Sequence, residues 1–541
     1  MNYFVKRRGA EAPRFPRVQK VFSASRRLGV SLVFLCLPLA STAVEPAANY
    51  QQHCASCHGP DRLGIMGPAL FPENLERLRP AEALKVIAEG RPATQMAGFK
   101  DKLSPDEIAA LAKWIAAPVN PAPAWTEAQM RASRIVHFPR GSLPDKPVFT
   151  ADPLNLFLVV EVGDHHVSVL DGDKLEAIHR FPSRFALHGG PKFTPDGRYV
   201  YFASRDGWIS KFDLWNLKTV AEIRAGINTR NVAVSGDGKV VMVANYLPRN
   251  LVALDEDLNP LKTLDARSQD GKDLSRVSAV YDASPRKSFI AAMKDMPEIW
   301  EISYDRTAED IPAGVIHDFK YREGAFVPAY LNPRRSLVSE PLDDFFFDQA
   351  YTHVMGAGRS GGMGQVVNLD VRKKIADLDL PGMPHLGSGI TWQRQGTTVM
   401  ASANLKDGVL SVIDMSTWKT LAHIKTLGPG FFLRSHENSA YAWTDSMMSP
   451  KFRDTLQVID KEKLEVVAQL RPEPGKILAH VEFTRDGRYV LASLRAPLNQ
   501  GGALIIFDAK TLKEVKRLPM NEPVGKYNVW NKVMKSEGTS H

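Results

Sequence analysis

The chain has 541 residues, of which 44% are hydrophobic, so it is too long for one ordinary domain and long enough to bury a large core. Residues 1–43 carry eight Lys or Arg against one Asp or Glu, a balance of +7 within the formal net charge of +9. The rest of the chain therefore carries only +2, which removes the electrostatic argument for nucleic acid as a partner.

The N-terminus has the pattern of an export signal. A basic region extends to Arg27, an apolar run follows over Leu28–Leu39, and Ser41-Thr42-Ala43 precedes Val44 as a small-residue cleavage site. We expect a signal peptide over residues 1–43 and a mature protein in the periplasm. The apolar run is shorter than a typical membrane span, so no stable membrane anchor is expected, with a retained anchor as the alternative.

The next feature is the motif Cys54-Ala55-Ser56-Cys57-His58, the C-x-x-C-H signature of a covalently attached c-type haem. In such a site the two thiols form thioethers with the haem vinyl groups, and the adjacent imidazole ligates the iron. The alternative for these thiols is a zinc site or a redox dithiol. Because the third cysteine, Cys36, leaves with the signal peptide, no structural disulfide is expected in the mature chain.

Features after the motif favour the haem. Gly67-Pro68-Ala69-Leu70 lies where c-type cytochromes have a loop whose carbonyl holds the ligating imidazole. Met96 is the predicted sixth ligand of the iron, and Met66, close to the attachment loop, is its rival. A helix is predicted to begin at the capping box Ser104-Pro105-Asp106-Glu107. Together these features predict a small all-α cytochrome c domain over residues 44–117.

A proline-rich linker is predicted over residues 118–144, and from residue 145 the pattern changes to short alternating strands. One unit recurs every 40 to 65 residues, an apolar strand that closes on aspartate. Its copies are Val169-Leu170-Asp171, Lys211-Phe212-Asp213, Ala253-Leu254-Asp255, the weaker Ile302-Ser303-Tyr304-Asp305, Asn368-Leu369-Asp370, Val412-Ile413-Asp414, Val458-Ile459-Asp460 and Ile506-Phe507-Asp508. Eight copies predict an all-β, eight-bladed propeller over residues 145–541. An elongated β-solenoid is the alternative, but the period is too long for one.

A second unit, a strand–turn–strand hairpin, precedes the first one. Its copies are Thr194-Pro195-Asp196-Gly197-Arg198-Tyr199, Ser235-Gly236-Asp237-Gly238-Lys239 and Thr484-Arg485-Asp486-Gly487-Arg488-Tyr489. A propeller leaves a funnel on its axis, where a cofactor would bind, so histidines and arginines in the blade loops are the candidate site residues. The segment 429–436 offers one such pair, Arg434 and His436, although an ordinary loop histidine is the favoured interpretation of His436.

A cytochrome c domain followed by an eight-bladed propeller resembles the cytochrome cd1 family, the nitrite reductases and their relatives in haem d1 biosynthesis. The resemblance covers the whole mature chain, and its specific points are Ala186-Leu187-His188, Ser204-Arg205-Asp206-Gly207, Asp213-Leu214-Trp215, Met383-Pro384-His385-Leu386-Gly387 and Pro523-Val524-Gly525-Lys526-Tyr527-Asn528-Val529. It implies that His188 is the proximal ligand of a haem d1 macrocycle and that Arg205 and Arg230 contact its carboxylates. A guanidinium suits that role because it pairs with carboxylates in a bidentate manner. The alternative is an ordinary loop histidine and ordinary arginine salt bridges.

Two departures from the reductase pattern bear on function. The reductases use two distal histidines to protonate nitrite; His385 matches one, and Asp343 aligns with the other, where an anion would repel nitrite. His353 lies nearby in the sequence and is the alternative second histidine. His480 stands where the reductases have a glutamine over the macrocycle, so a group that titrates near neutral pH has been gained.

With these departures the chain resembles the dehydrogenases of haem d1 biosynthesis, which oxidise a propionate side chain of dihydro-haem d1 to an acrylate. The reaction removes two electrons and two protons, and the resemblance implies His480 or His385 as the base and the c haem as the electron outlet. The implied partners are the haem d1 precursor, a periplasmic electron acceptor and the nitrite reductase that receives haem d1. A nitrite reductase and a non-enzymatic haem d1 carrier are the alternatives. The carrier-like relative lacks the c domain, so Cys54 and Cys57 argue against a carrier.

Overall fold

The structure of the chain is a computed structural model that describes residues 45–541 apart from 66, 76–77, 79, 92–95, 121–122, 319, 321–322, 359–360, 362, 497–500, 536 and 540–541. The predicted signal peptide over residues 1–43 lies outside these described residues. Within the described part of the chain, no helix is both long and apolar enough to cross a membrane. Residues Val44–His541 form one compact unit, in which a helical N-terminal part precedes a body of β-sheets.

Short helices build the N-terminal part. They are α1 (Pro46–His53), α2 (Ala55–His58), α3 (Pro72–Leu75), α4 (Pro80–Glu89) and α5 (Pro105–Ile115). The predicted capping box begins α5: the Ser104 N–H donates to the Glu107 carboxylate at 2.8 Å, and the Glu107 N–H donates to the Ser104 hydroxyl at 3.3 Å. The buried face of α5, which includes Ile108 and Ile115, packs in one apolar cluster with Tyr50 of α1. The all-α prediction for this part of the chain is confirmed.

The connection between the helices and the sheets is itself structured. After Trp125 come α6 (Glu127–Ser133) and β1 (Ile135–Val136), and β1 adds a fifth strand to the edge of one sheet. Met130 is 1% exposed and packs into the core of the sheets, and the Trp125 indole donates to the Arg224 carbonyl at 2.7 Å. The segment predicted as a linker is therefore held against the sheets.

The remaining strands form eight sheets and one hairpin within the described residues. The first four sheets contain β2 (Leu156–Glu161), β3 (His166–Asp171) and β4 (Glu176–Pro182); β5 (Lys192–Phe193), β6 (Tyr199–Ala203), β7 (Trp208–Asp213) and β8 (Lys218–Arg224); β9 (Asn228–Val234), β10 (Val240–Leu247), β11 (Asn250–Asp255) and β12 (Pro260–Asp265); and β13 (Val277–Ala283), β14 (Ser288–Met293), β15 (Glu298–Ser303) and, after the hairpin of β16 (Ile311–Asp318) and β17 (Glu323–Val327), β18 (Pro333–Leu337). The last four contain β19 (Asp344–Phe347), β20 (His353–Ala357), β21 (Gly364–Asn368) and β22 (Lys373–Leu378); β23 (Ile390–Arg394), β24 (Thr397–Ala403), β25 (Val409–Asp414) and β26 (Thr420–Lys425); β27 (Leu433–Arg434), β28 (Tyr441–Asp445), β29 (Leu456–Asp460) and β30 (Glu465–Leu470); and β31 (Ile477–Phe483), β32 (Tyr489–Arg495), β33 (Gly502–Asp508) and β34 (Glu514–Met520).

The last strand closes the circle of sheets. Strand β35 (Pro523–Asn528) pairs antiparallel with β2, with Leu158 opposite Tyr527, so the first sheet contains both the first and the last strand of the body. Helix α7 (Val529–Val533) follows β35. Closure of this kind leaves no long unpaired edge where the circle joins. The predicted eight-bladed propeller is confirmed.

The recurring aspartate has a local reason. In six of the eight copies it ends the third strand of its blade and accepts backbone N–H groups of the turn that follows, as Asx-turns do, whereas Asp305 and Asp370 lie two residues beyond the ends of β15 and β21. The Asp213 carboxylate accepts the N–H groups of Trp215 at 3.0 Å and Asn216 at 3.2 Å, and the Asp508 carboxylate accepts that of Thr511 at 2.7 Å. The repeat therefore marks the same point in successive blades, which is why it predicts their number.

Candidate functional site

A first site lies around α2, which carries most of the C-x-x-C-H motif. His58 Nδ1 lies 2.8 Å from the Pro68 carbonyl oxygen, so this nitrogen donates its hydrogen and Nε2 keeps a lone pair for an iron ion. A Cβ at Gly67 would lie 2.5 Å from the His58 ring, so a glycine is required there. Cys54 and Cys57 are partly buried. Two thiols beside an imidazole in this tautomer are the donor set that a covalently bound haem requires.

Met96, the predicted sixth ligand, is partly buried and follows residues 92–95, which are outside the described residues. The Arg91 N–H donates to the Met96 carbonyl at 3.0 Å. The ligation of iron by Met96 stays a prediction, and its rival Met66 lies outside the described residues.

The loop that holds His58 also contacts the propeller. Ala69 and Phe71, which are 0% and 2% exposed, belong to one apolar cluster with Ile227 and Leu247. Ile227 immediately precedes β9 and Leu247 ends β10. Strand β9 is the innermost strand of its blade. The loop that holds His58, called the c-haem loop below, is therefore connected to the propeller axis through strands β9 and β10.

A second site lies on the propeller axis, where the innermost strands meet. The Arg230 guanidinium lies 3.1 Å from His188 Nδ1, and His385 and His480 pack against the adjacent rings of Phe431 and Phe432. The structure thus brings four of the predicted residues into one neighbourhood. The polar side chains contributed by the inner strands and the loops beside them include His188, Lys192, Arg205, Arg230, Tyr281, Asp344, His385, Arg434, His480 and Lys526.

His188 has the geometry of an iron ligand. Its Nδ1 lies 2.6 Å from the Arg230 carbonyl oxygen, so Nε2 carries the lone pair, and in this structure the Arg230 guanidinium lies 3.4 Å from Nε2. Burial, with the charges of Arg205 and Arg230, holds the pKa of His188 well below its ordinary value. The imidazole is therefore neutral, as ligation of iron requires. The Arg205 N–H donates to the Ala186 carbonyl at 3.2 Å, two residues before His188, so the backbone holds Arg205 next to the His188 loop.

Asp343, which the sequence predicted to repel nitrite, has a partner that the sequence did not indicate. Lys294 is 3% exposed, forms an ion pair with the Asp343 carboxylate and lies 5.2 Å from the centre of the Tyr246 ring. Lys294 therefore offsets the charge of Asp343. The prediction that Asp343 acts as a repelling anion did not include this ion pair. Burial raises the pKa of Tyr246, but Lys294 and Arg230 outweigh it and hold this pKa below its ordinary value. No local sequence signal links Lys294 or Tyr246 to Asp343, because the three residues come from three different blades.

His353, the alternative second histidine, lies away from the inner strands. It begins β20, the second strand of its blade, where its Nδ1 lies 2.8 Å from the Asp348 carboxylate and its Nε2 accepts the Asn368 amide at 3.0 Å. Both ring nitrogens are thus engaged locally. His436 is buried in a turn, where its Nδ1 accepts the Asn438 N–H at 3.1 Å, in keeping with an ordinary loop histidine.

His385 has a settled tautomer. Its Nδ1 lies 2.8 Å from the Phe431 carbonyl oxygen, which can only accept, so Nδ1 carries the hydrogen and Nε2 carries the lone pair. Burial lowers the pKa of His385 below its ordinary value. This imidazole is therefore neutral and has a nitrogen that can accept a proton.

His480 lies at a bulge of β31, between Ala479 and Val481, with a φ of +51°. Bulges redirect side chains, and backbone strain of this kind concentrates at functional sites. The residue is 3% exposed, and its ring lies 4.3 Å from the Phe432 ring and 5.3 Å from the Tyr527 ring. Its Nε2 is buried and has no hydrogen-bond partner within the part of the protein that the structure describes. His436 Nε2, in its loop, is likewise buried without a partner among the described residues, so it is the position of His480 beside the Phe432 and Tyr527 rings on the axis that marks its nitrogen as a candidate for a ligand.

Lys526 of β35 is the polar neighbour of the His480 ring. It is 0% exposed, and its Nζ contacts the His480 carbonyl oxygen and lies 3.4 Å from His480 Nδ1. Burial, with the charges of Lys526 and Arg434, holds the pKa of His480 well below its ordinary value. Burial likewise holds the pKa of Lys526 well below its ordinary value. The axis thus contains a third neutral imidazole, beside a buried lysine whose pKa is lowered.

Known proteins share this architecture. A profile of the cytochrome D1 heme domain matches residues 151–532, and one of cytochrome C oxidase, cbb3-type, subunit III matches residues 41–115. The chain is similar to dihydro-heme d1 dehydrogenase of Pseudomonas aeruginosa, with 51% identity over 95% of this chain and 100% of that protein. It is also similar to the solved structure of dihydro-heme d1 dehydrogenase NirN in complex with DHE, with 52% identity and a TM-score of 0.77 over 90% of this chain and 100% of that one. Nitrite reductase of Stutzerimonas stutzeri is 26% identical over 95% of this chain and 98% of its own length.

Proposed function

The chain belongs to the cytochrome D1 heme domain family, and from this premise we propose that it is an oxidoreductase that converts dihydro-haem d1 to haem d1. The observation that carries the proposal is the similarity to a dihydro-heme d1 dehydrogenase over the entire length of that protein, which spans both the c-haem motif and the propeller. In this reaction a propionate side chain becomes an acrylate, with loss of two electrons and two protons.

The c haem is the electron outlet of the proposed reaction. Cys54, Cys57 and His58 would hold it, with Met96 as the proposed sixth ligand of its iron, and it would supply one-electron transfer. The two electrons would therefore pass one at a time to an acceptor in the periplasm. The apolar contact between the c-haem loop and the β9–β10 pair supports this route, because it packs the loop against strands that reach the propeller axis.

The propeller axis is the proposed binding site of the substrate. His188 would ligate the substrate iron through Nε2, because its Nδ1 is already committed to the Arg230 carbonyl. Arg205 and Arg230 would hold carboxylates of the macrocycle. Arg230 forms a loose ion pair with Asp344 at 3.9 Å, and its guanidinium also lies 3.1 Å from Nδ1 and 3.4 Å from Nε2 of His188, so an incoming carboxylate would replace part of these contacts.

His480 is the proposed base for the carbon-bound proton, and His385 is the second candidate. His480 acts as a base if its Nδ1 carries the hydrogen, because Nε2 then carries the lone pair. His480 Nε2 then has a lone pair and no partner among the described residues. His385 has the same tautomer through the Phe431 carbonyl. Two neutral imidazoles suit a reaction that releases two protons.

We further propose that residues 1–43 are a signal peptide, 44–117 the cytochrome c domain, 118–144 the linker and 145–541 the propeller. Export to the periplasm follows, because c-type haem is attached there after export. The proposed partners are the haem d1 precursor, the periplasmic electron acceptor and the nitrite reductase that takes up haem d1.

The test is to mix the purified holoprotein, with its c haem oxidised, with dihydro-haem d1 under anaerobic conditions. With the holoprotein in excess, we expect two c haems to become reduced for each haem d1 whose spectrum appears, because the reaction releases two electrons and each c haem accepts one. A parallel sample with nitrite and a reductant should form no nitric oxide above background. Rapid nitric oxide formation would identify a nitrite reductase, and an unchanged precursor beside an oxidised c haem would identify a carrier.

A further inference from the structure

Asp445 is a buried carboxylate that the proposed reaction does not use directly. It ends β28, is 1% exposed and lies beside the loop Pro429–Phe432. Its two oxygens accept backbone N–H groups from three separate segments of the chain. These are the N–H groups of Phe431 at 2.8 Å, Phe432 at 3.1 Å, Met447 at 3.3 Å and His480 at 3.4 Å.

The loop that Asp445 holds supports both candidate bases. The Phe431 carbonyl accepts His385 Nδ1 at 2.8 Å, and the Phe431 ring lies 4.1 Å from the His385 ring. The Phe432 ring lies 4.3 Å from the His480 ring. The orientation of each imidazole therefore depends on where this loop lies.

The close approach of the loop to β28 also explains a glycine. A Cβ at Gly430 would lie 2.3 Å from the Asp445 carbonyl oxygen, which no side chain tolerates without a shift of the backbone. The Gly430 N–H donates to the Asn404 carbonyl at 3.0 Å, so the loop is held from both sides. Backbone N–H groups bond a carboxylate more strongly than a neutral oxygen, so Asp445 is the stronger of the two attachments.

We propose that Asp445 is the positioning residue of the active site, which holds His385 and His480 in register with each other through the Phe431–Phe432 segment and the β31 bulge. The inference rests on the proposed function, because it assigns these histidines to catalysis. It adds that their alignment depends on one carboxylate that touches neither imidazole. Displacement of a catalytic group by about 1 Å lowers the rate by about 100-fold, so the loss of this anchor should be visible in the rate.

The test compares D445N with the matched variant D454N in the full-length holoprotein. An asparagine keeps one acceptor oxygen but presents an NH2 group to backbone N–H groups, so some of the bonds to the loop and the bulge are lost. Asp454 is 3% exposed on the same blade and accepts the Arg471 guanidinium at 2.8 Å and the Gly475 N–H at 2.6 Å. D454N therefore removes a buried carboxylate of this blade without altering the Phe431–Phe432 loop.

We expect D445N to bind dihydro-haem d1 within about 3-fold of the unmodified affinity and to reduce the c haem about 10- to 100-fold more slowly in a single turnover. D454N should match the unmodified protein in both measurements. G430A is the second variant, and it should show the same split between rate and affinity because it displaces the same loop. If D445N does not fold, G430A alone tests whether displacement of the Phe431–Phe432 segment lowers the rate without lowering the affinity.

Three results overturn the positioning role. The first is an unmodified rate in D445N, and the second is an equal loss of rate in D454N. The third is a loss of affinity in D445N that is as large as its loss of rate. H480Q, measured alongside, separates this outcome from a failure of the proposed function. If H480Q is slow while D445N is fast, only the positioning role is wrong. If the unmodified protein does not convert dihydro-haem d1 at all, the proposed function itself is wrong.

Discussion

Replacement of His480 by glutamine tests the proposed chemistry most directly. Glutamine is uncharged and places a polar end group at a similar reach, and it restores the residue type expected of the reductases. Both residues have a Cβ, so the strain at a φ of +51° is similar in the two proteins and the fold should persist. Burial, Lys526 and Arg434 hold the pKa of His480 well below its ordinary value, so the substitution removes no charge at neutral pH.

The size of the effect follows from the role of a base. A positioned general base contributes about 10²–10⁴-fold, which corresponds to about 2.7–5.4 kcal/mol of transition-state stabilisation. We expect H480Q to bind dihydro-haem d1 with unmodified affinity and to convert it about 10²–10⁴-fold more slowly. Because a base acts in its neutral form and its pKa is lowered, the unmodified rate should be constant above about pH 6.5 and fall only at lower pH.

The assay is anaerobic stopped-flow spectroscopy, which follows reduction of the c haem and formation of haem d1 in one turnover, with affinity from optical titration. H436Q is the matched control, because His436 is also a buried histidine but lies in a turn and should leave the rate unchanged. An unmodified rate in H480Q would refute the assignment. The structural origin of that result would be the Lys526 backbone N–H, 3.5 Å from His480 Nδ1. If Nδ1 accepts that hydrogen, Nε2 is protonated, and H385A should then be the slow variant.

Three further predictions concern single residues. Met96→Ala should abolish the weak near-infrared Met–iron(III) charge-transfer band of the oxidised protein; if the absorption spectrum keeps this band, another residue ligates the iron. His188→Ala should weaken binding of haem d1 and its precursor in an optical titration and leave the c-haem spectrum intact, because the two sites lie in separate parts of the chain; unchanged affinity would assign the iron to another ligand. Lys294→Met should lower the free energy of unfolding by about 3–5 kcal/mol in a denaturant titration, because it leaves Asp343 largely buried without its partner. The double variant K294M/D343N should recover most of that loss, and equal losses in the single and double variants would contradict the pairing.

The sequence by itself determined the features whose physics is local. The C-x-x-C-H motif, the Ser104 capping box and the aspartate that ends the third strand of most blades all act within a few residues, so their structural consequences could be predicted. The Pro68 carbonyl that holds His58 is also close in sequence, ten residues away. For the same reason, the number of blades could be counted from the repeat before any contact between blades was known.

Only the tertiary structure decided the state of the groups on the propeller axis. Lys294 lies 49 residues from Asp343 and Lys526 lies 46 residues from His480, and each pair forms because closure of the propeller brings neighbouring blades together. His353 and Asp343 were alternatives in the sequence, and the position of each residue within its blade separates them. Protonation and tautomer depend on burial and on charges from other blades. Burial and the charges from other blades are set only when the propeller has formed, so a local pattern of residues does not predict the protonation state or tautomer of these histidines.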